Sequence, residues 1–481
     1  MALPEAPDEV ATVPGAATAS AGLAGKWLGF LLHFAAAGAL LPQALHWDGI
    51  GFLQWARDLH LRDYGHFLYA PSIRLSYEVL APFGASIELA AQVLSAAAAS
   101  LAFVLLWARF ERLPVPTPLA IAAAAAVTTS PLLWRQAGVI EPSTLTLAAL
   151  LAAFAAAEAC GRRRSPGRLM VLGAATLLCI GYHVVSLLAV PWLLYHARFR
   201  ARAVLLPLGA GLALALLVLA LPASRAELLG FADFGRGFLP EVDGPAAVFT
   251  AVGHHVRHGR DILREGAPLV CVLGALVVLV AARGDRRSLL GAALLAGPPL
   301  LAFLAFGKPV VALLLPVVLT MGLLAGAGLR ELARWRGPRA AALLLLPPAL
   351  AFQATWSLLE AFHASSTPDR NRLAAEAVAG ALPPSSVVFA GPLARHLEWF
   401  TDVSVVALPD WLHGAAAPAD PVQGMLVEAG GLAPRAVYVT SEGLEYLVER
   451  GAAAAEQLDS PDRVRIPVGR SPGDFLLQLA P

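Results

Sequence analysis

The chain has 481 residues, 58% of them hydrophobic and only 14% charged, with a mean hydropathy of +0.66. Long apolar runs separated by Arg-rich or Pro/Gly-rich breaks mark a polytopic α-helical membrane protein. The formal net charge of +1 leaves no basic surface for a nucleic-acid partner once the membrane-flanking arginines are set aside. Cys160, Cys179 and Cys271 sit in or at the edge of apolar runs, where they suit packing better than a disulfide framework or metal site.

Residues 1–24 are rich in Ala and Pro and carry Glu5, Asp8 and Glu9 ahead of Lys26. A cleaved signal opens with positive charge, so this stretch is expected to be a disordered cytoplasmic tail before a retained first helix. Apolar runs follow near 27–45, 86–107, 117–133, 139–158, 169–197, 203–221, 267–282, 289–306, 309–329 and 340–358. The breaks at 109–114, 162–168, 198–202, 283–287 and 330–339 are short and Arg-rich, which assigns them to the cytoplasmic side. The run 169–197 has basic breaks on both sides, so it reads as two short helices turning at Gly181, Tyr182 and His183. Each would have roughly fourteen residues and span about 20 Å, short of a hydrocarbon core of about 30 Å, leaving a dent or a thinned bilayer. The count is then about eleven membrane helices, with the amino terminus inside and the carboxyl terminus outside.

That parity places most unusual polar residues on the outer face. They are Asp48 and His66 in the loop 46–85, the Trp134, Arg135, Gln136 to Glu141 turn, Tyr182 and His183, His254 and His255 in the loop 222–266, and Lys308. Polar groups at membrane depth are costly and mark a cavity or a partner, although any one of them also serves as an ordinary helix cap. Asp48 lies just past the first long run, where a carboxylate can act as a general base or stand as a turn or N-cap residue. Asp58 and Asp63 fall on an amphipathic pattern with Phe52, Trp55 and Leu59 and read as a solvated face. Lys26 and Lys308 are the only lysines in an otherwise arginine-using chain; Lys308 reads either as an anion contact or as a snorkelling residue.

Residues 25–358 thus form one transmembrane domain, and 359–481 change character. There, strand-like runs at 386–390, 403–408, 436–440, 464–468 and 475–479 alternate with helix-like runs at 370–381, 393–400 and 442–450. This is a small α/β domain, expected outside the membrane as a lid, an acceptor-recognition unit or a structural appendage.

The stretch containing Ser130, Pro131, Trp134, Gln136, Ala137, Glu141, Thr144 and Leu145 resembles a helix-turn motif of GT-C glycosyltransferases related to protein O-mannosyltransferases. Segments 178–195, with Gly181, His183 and Pro191, and 307–329, with Lys308, resemble the same group in the same order, so the likeness covers roughly 27–330. It implies a GT-C fold and transfer of a sugar from a polyprenyl-phosphate donor to an acceptor hydroxyl, with inversion, on the outer face of a bacterial inner membrane. The carboxyl-terminal domain would then be periplasmic.

Asp48 matches the group's first-loop base, and Lys308, Arg135 and His183 are the candidates for the donor phosphate. His66, Glu141, Trp134, Gln136, Tyr182, His254 and His255 would orient the acceptor or support the site. The acceptor is a protein, a lipid or a glycan. The lipid-linked sugar is a substrate, no resident cofactor is expected, and no compact ligand set calls for a metal. The group often has a second acid next to the first, whereas Gly49, Ile50 and Gly51 follow Asp48 here. The competing reading is a non-catalytic scaffold of the same fold, or a transporter of lipid-linked glycan.

Overall fold

The computed structural model describes residues 16–43, 45, 47–58, 66–113, 115–163, 165–198, 252–253, 256–261, 263, 286–305, 314–333, 336–367, 369–383, 385–408, 421–431, 436–449, 464–468 and 475–480. The first four helices are α1 (Ala16–Gly38), α2 (Trp47–Asp58), α3 (Tyr69–Leu80) and α4 (Ile87–Phe110). Helix α1 begins inside the stretch expected to be a disordered tail, because the Ala-rich segment ahead of Lys26 favours helix.

Helix α4 is capped by the Ser86 hydroxyl, which accepts the Leu89 N–H. Its Ala90, Ala91, Ser95, Ala96, Ala99 and Ala102 are buried; side chains this small let neighbouring helices approach closely in a bilayer. Gly29 of α1 does the reciprocal job, since a Cβ there would lie 2.9 Å from Cζ3 of Trp107.

Helix α5 (Thr117–Thr128) and the short α6 (Pro131–Gly138) form one apolar run bent by 69°. Pro131 has no N–H to offer the preceding turn, so the run cannot continue straight. Carbonyls freed by such a break must find other donors where water is excluded. Here the Ser130 hydroxyl donates to Val127 O at 2.7 Å, Gln353 Nε2 to Ala126 O at 2.9 Å and the Ser357 hydroxyl to Thr129 O at 2.7 Å. The bend puts Trp134, Arg135 and Gln136 on α6 itself, and the turn begins only after Gly138.

Helices α7 (Ser143–Arg162) and α8 (Pro166–Tyr182) follow, then a 3-10 segment, Val184–Ala189, and α9 (Val190–His196). The chain thus breaks at His183, where the turn is expected. Further on lie α10 (Arg286–Ala305), α11 (Leu315–Ala333) and α12 (Arg336–Ser366). Gly322 and Gly326 of α11 seat Val127 of α5 and Phe110 of α4 against bare backbone, a small-xxx-small contact.

Among the described residues, two helices, Ile87–Phe110 and Ser143–Arg162, are long and apolar enough to cross a membrane, or three with the bent pair. Pro166–Tyr182, Val184–His196, Leu289–Leu304 and Pro316–Gly326 are apolar but shorter. The count of about eleven is therefore not reached among these residues, and the runs 203–221 and 267–282 lie outside them. Charge gathers at one end of the bundle. Lys26 pairs with Glu111 at 2.6 Å, Arg109 and Arg112 approach Glu158 at 3.0 and 3.7 Å, and Arg168 donates to Ala159 O at 3.0 Å.

The remaining elements are α13 (Arg370–Ala381), β1 (Val387–Ala390), α14 (Ala394–Phe400), β2 (Ser404–Ala407), α15 (Pro421–Gly431), β3 (Val437–Thr440), α16 (Ser441–Glu449), β4 (Arg465–Pro467) and β5 (Phe475–Ala480). The strands form one sheet in the order β2-β1-β3-β5-β4. β1 is parallel to β2 and β3, and β5 is antiparallel to β3 and β4. Alternate residues feed opposite faces: Phe389, Val437, Val439 and Leu477 pack on one side, Val388, Ala390, Tyr438 and Leu476 on the other. β1 and β3 are buried along their whole length, as central strands covered on both faces should be.

This unit is bonded to the helical part through α13 and α14. Asp369 accepts the N–H groups of Asn371 and Arg372, capping α13, and its second oxygen accepts the Leu45 N–H at 3.1 Å. His396 Nε2 meets Leu45 O at 3.1 Å, Gln54 Nε2 donates to Glu398 at 3.0 Å, and Trp399 Nε1 donates to Glu88 at 2.9 Å.

If the bent span depends on its borrowed donors, Gln353→Leu should strand the Ala126 carbonyl and lower stability by about 1–3 kcal/mol. Phe352→Leu, at a side chain 73% exposed, should stay within about 0.5 kcal/mol of wild type. Thermal unfolding midpoints of both variants in one detergent measure the difference; equal midpoints would contradict this reading.

Candidate functional site

Asp48 occupies the first turn of α2 and is exposed, while Gly49, Ile50, Gly51, Phe52 and Leu53 behind it are buried. A carboxylate in a first turn sits where unsatisfied N–H groups favour negative charge. The helix can approach both its neighbours because two side chains are missing. A Cβ on Gly49 would lie 3.2 Å from both Cβ and O of Ile140, in the turn after α6. A Cβ on Gly51 would collide with Nη1 of Arg395 on α14. A second acid at 49 would have to displace the packed Ile140, and one at 51 the Arg395 guanidinium.

Positions one turn apart share a helix face. Asp48 therefore stands above Gly51, which meets Arg395, and above Phe52, which leads to the histidines. The Phe52 ring lies 4.8 Å from Tyr69 and 5.4 Å from His66, and His66 lies 4.4 Å from His183, all edge-on. His66 and His183 are held by backbone. Tyr69 N–H donates to His66 O at 2.8 Å, Leu68 N–H to Gly181 O at 2.9 Å, and Val185 N–H to Nδ1 of His183 at 3.3 Å. That last bond caps the 3-10 segment and leaves Nε2 of His183 carrying the proton when the ring is neutral. Gly181 has to be glycine here, because a Cβ would overlap Leu68.

Glu141 lies in the turn between α6 and α7 and accepts weakly from the Ser143 hydroxyl at 3.5 Å. Burial pushes the Tyr69 hydroxyl well above its ordinary pKa; Ser95 beside it opposes that shift and the Glu141 charge adds to it. Ser143 and His183 also line a small cavity of about 30 Å³ with Thr146, Ser186 and Pro316 at the start of α11. That is room for about one water. Asp48, His66, Tyr69, Glu141, Ser143 and His183 are thus linked through α2, α3, the turn after α6 and the break after α8.

Other expected site residues are engaged elsewhere. Arg135 is exposed on α6 and pairs with Glu360 of α12 at 3.0 Å, while Trp356 Nε1 bonds the other oxygen of Glu360 at 2.9 Å. Trp134 is buried against His33 of α1, with ring centroids 5.3 Å apart, and packs with Ala37, Ala96 and Ala99. Its surroundings are those of a core residue. Gln136 is half-buried, and its Oε1 has no hydrogen-bond partner among the described residues. The Tyr182 hydroxyl meets Ser72 Oγ at 3.2 Å and lines an apolar groove of about 570 Å³ between α1, α4, α7 and α8, with Trp27, Leu94, Leu101, Ala148 and Leu178. Asp58 is exposed beside Arg57 at 3.0 Å. Lys308, His254, His255 and Asp63 lie outside the described residues. No three His, Cys, Asp or Glu gather closely enough to hold a metal among those described. Tyr69, Ser95 and Arg395 went unnoticed in the sequence; the run Gly49–Gly51 beside an acid was the one signal that something packs there.

No family model matches the chain, and comparison with curated proteins finds no match. Among solved structures, the chain is similar to the crystal structure of ArnT from Cupriavidus metallidurans in the apo state, with a TM-score of 0.60 at 14% identity. The alignment covers 96% of this chain and 99% of that one. At so low an identity the likeness is one of fold, and it extends over helical part and sheet together.

Proposed function

We propose that the chain is a glycosyltransferase that moves a sugar from a polyprenyl-phosphate donor to an acceptor hydroxyl, with Asp48 as general base. The observation that carries this reading is the exposed Asp48 on a helix whose next five residues are buried, with His66 and His183 reached through Phe52. In the reaction, the acceptor oxygen attacks the anomeric carbon while Asp48 takes its proton. The bond from that carbon to the phosphate oxygen breaks, and polyprenyl phosphate leaves with the electron pair. Attack opposite the leaving group inverts the anomeric centre.

The leaving phosphate needs fixed donors. His183 lines the cavity that ends at Pro316, and Lys308 precedes Leu315 by seven residues in sequence. Arg135 can join them only by leaving Glu360, and an exposed pair of that kind is worth about 0–1 kcal/mol. The groove ending at Tyr182 suits the carrier's hydrocarbon chain, since its lining is almost wholly apolar. The clustering of Lys26, Arg109, Arg112 and Arg168 at one end supports a cytoplasmic location for that end, with Asp48 on the outer side and the sheet unit beside it.

Asp48→Asn keeps the side chain's shape but removes the base. Purified in lipid nanodiscs, this variant should show a wild-type unfolding midpoint and lose transfer by about a hundredfold or more. Transfer at the wild-type rate would remove Asp48 from the mechanism.

Sidedness is tested by cysteine labelling in intact cells. Phe83→Cys, at a position 84% exposed, should react with a membrane-impermeant maleimide from outside, and Arg163→Cys should not. Reversed labelling would place the site on the cytoplasmic face.

A further inference from the structure

The sheet unit grips the helix that carries Asp48 at several points along its length. Just before α2, Leu45 has both backbone groups bonded to this unit: its N–H to Asp369 and its carbonyl to His396. Along α2, Gly51 lies under the Arg395 guanidinium and Gln54 bonds Glu398. At the far end, Arg57 lies over the Trp399 ring at 5.1 Å, and Trp399 in turn bonds Glu88 of α4. Arg395, Glu398 and Trp399 all come from α14, which leaves β1 and lies against α2 along its length. From the other side, Ile140 comes close to Gly49, Phe52 packs on Tyr69 and His66, Arg74 of α3 bonds the Arg57 carbonyl, and Ile50, Leu53 and Ala56 are buried in the helical core.

From this arrangement we infer that Arg395 is a positioning residue: through Gly51 it sets the placement of α2, and with it the direction of Asp48, one turn away on the same face. The inference rests on the reading of Asp48 as base. The guanidinium rests on bare backbone, so a side chain at 51 would push this end of Arg395 aside and break the contact. Positioning of this kind acts on rate more than on binding, since a misdirected base of about 1 Å costs on the order of a hundredfold. The sheet unit thereby becomes part of the site without touching the reacting atoms.

The test uses the full chain in lipid nanodiscs, with transfer kinetics and a distance measured in parallel. Arg395→Ala and Gly51→Ala should each lower kcat at least tenfold, with KM for the donor within about twofold of wild type. The double variant should be no worse than the poorer single one, because both act on one contact. Arg395→Lys, which keeps the charge but loses the planar fork, should recover little. Spin labels on Asp48→Cys and Arg135→Cys report the placement of α2 against the bundle by pulsed electron paramagnetic resonance. Their distance distribution should shift or broaden when Arg395→Ala is added.

An unchanged kcat in both single variants overturns the inference, as does a kcat loss that vanishes when rates are normalised to folded protein. A lowered kcat with an unchanged distance distribution also overturns it, in favour of direct substrate contact by Arg395. Should the wild-type chain show no transfer, the glycosyltransferase reading fails by itself. The distance measurement then decides the inference, which an unchanged distribution overturns.

Discussion

Two absent side chains hold this structure's candidate site together. Gly49 and Gly51 let α2 lie within contact distance of Ile140 on one side and Arg395 on the other. A helix with ordinary side chains there would stand off from both. The usual cost of glycine in a helix, roughly 1 kcal/mol relative to alanine, is accepted twice in three residues. What the helix gains is a buried seat for Ile50, Phe52 and Leu53 beneath an exposed Asp48. The acid can therefore face solvent or a headgroup while its backbone is fixed.

The seat itself depends on a broken span. The 69° bend between α5 and α6 turns the chain so that Gly138 meets Pro42 and Ile140 meets Gly49. Such a bend at membrane depth survives because Gln353 and Ser357, more than 220 residues further along the chain, supply hydrogen bonds to the freed carbonyls. The second break, after Tyr182, gives His183 its place by a different route. There the histidine ring itself caps the following 3-10 segment. Two interruptions of helix, each satisfied by side chains, thus bring Glu141 and His183 to the same region as Asp48.

Features encoded by local periodicity were legible in the sequence. Within the described residues, the apolar runs at 86–107, 117–133 and 139–158, the stop near His183 and the alternation of strands and helices after residue 369 correspond to elements within a few residues, since each is set by neighbours along the chain. Helix α15 (Pro421–Gly431) went unforeseen, because its Ala, Gly and Pro neighbours read as turn. Of the candidate site residues, Asp48, His66, His183 and Glu141 were visible as rare polar groups in an apolar chain. Trp134 and Arg135 were visible for the same reason, yet one packs against His33 and the other pairs with Glu360. Rarity marks a residue as constrained without saying what constrains it. The pairings of Arg395 with Gly51, Asp369 with Leu45 and Gln353 with Ala126 span hundreds of residues, and no periodicity announces them.

The account stands on chemistry at Asp48 rather than on fold alone, since one fold of this type hosts more than one activity. The most direct measurement follows the carrier. Wild-type protein is reconstituted into liposomes with a radiolabelled polyprenyl-phosphate sugar and a crude envelope extract as acceptor source, and the lipid and glycan products are separated. The account predicts free polyprenyl phosphate in equal amount to sugar newly attached to acceptor. Intact carrier recovered on the opposite leaflet, with no sugar transferred, would contradict it.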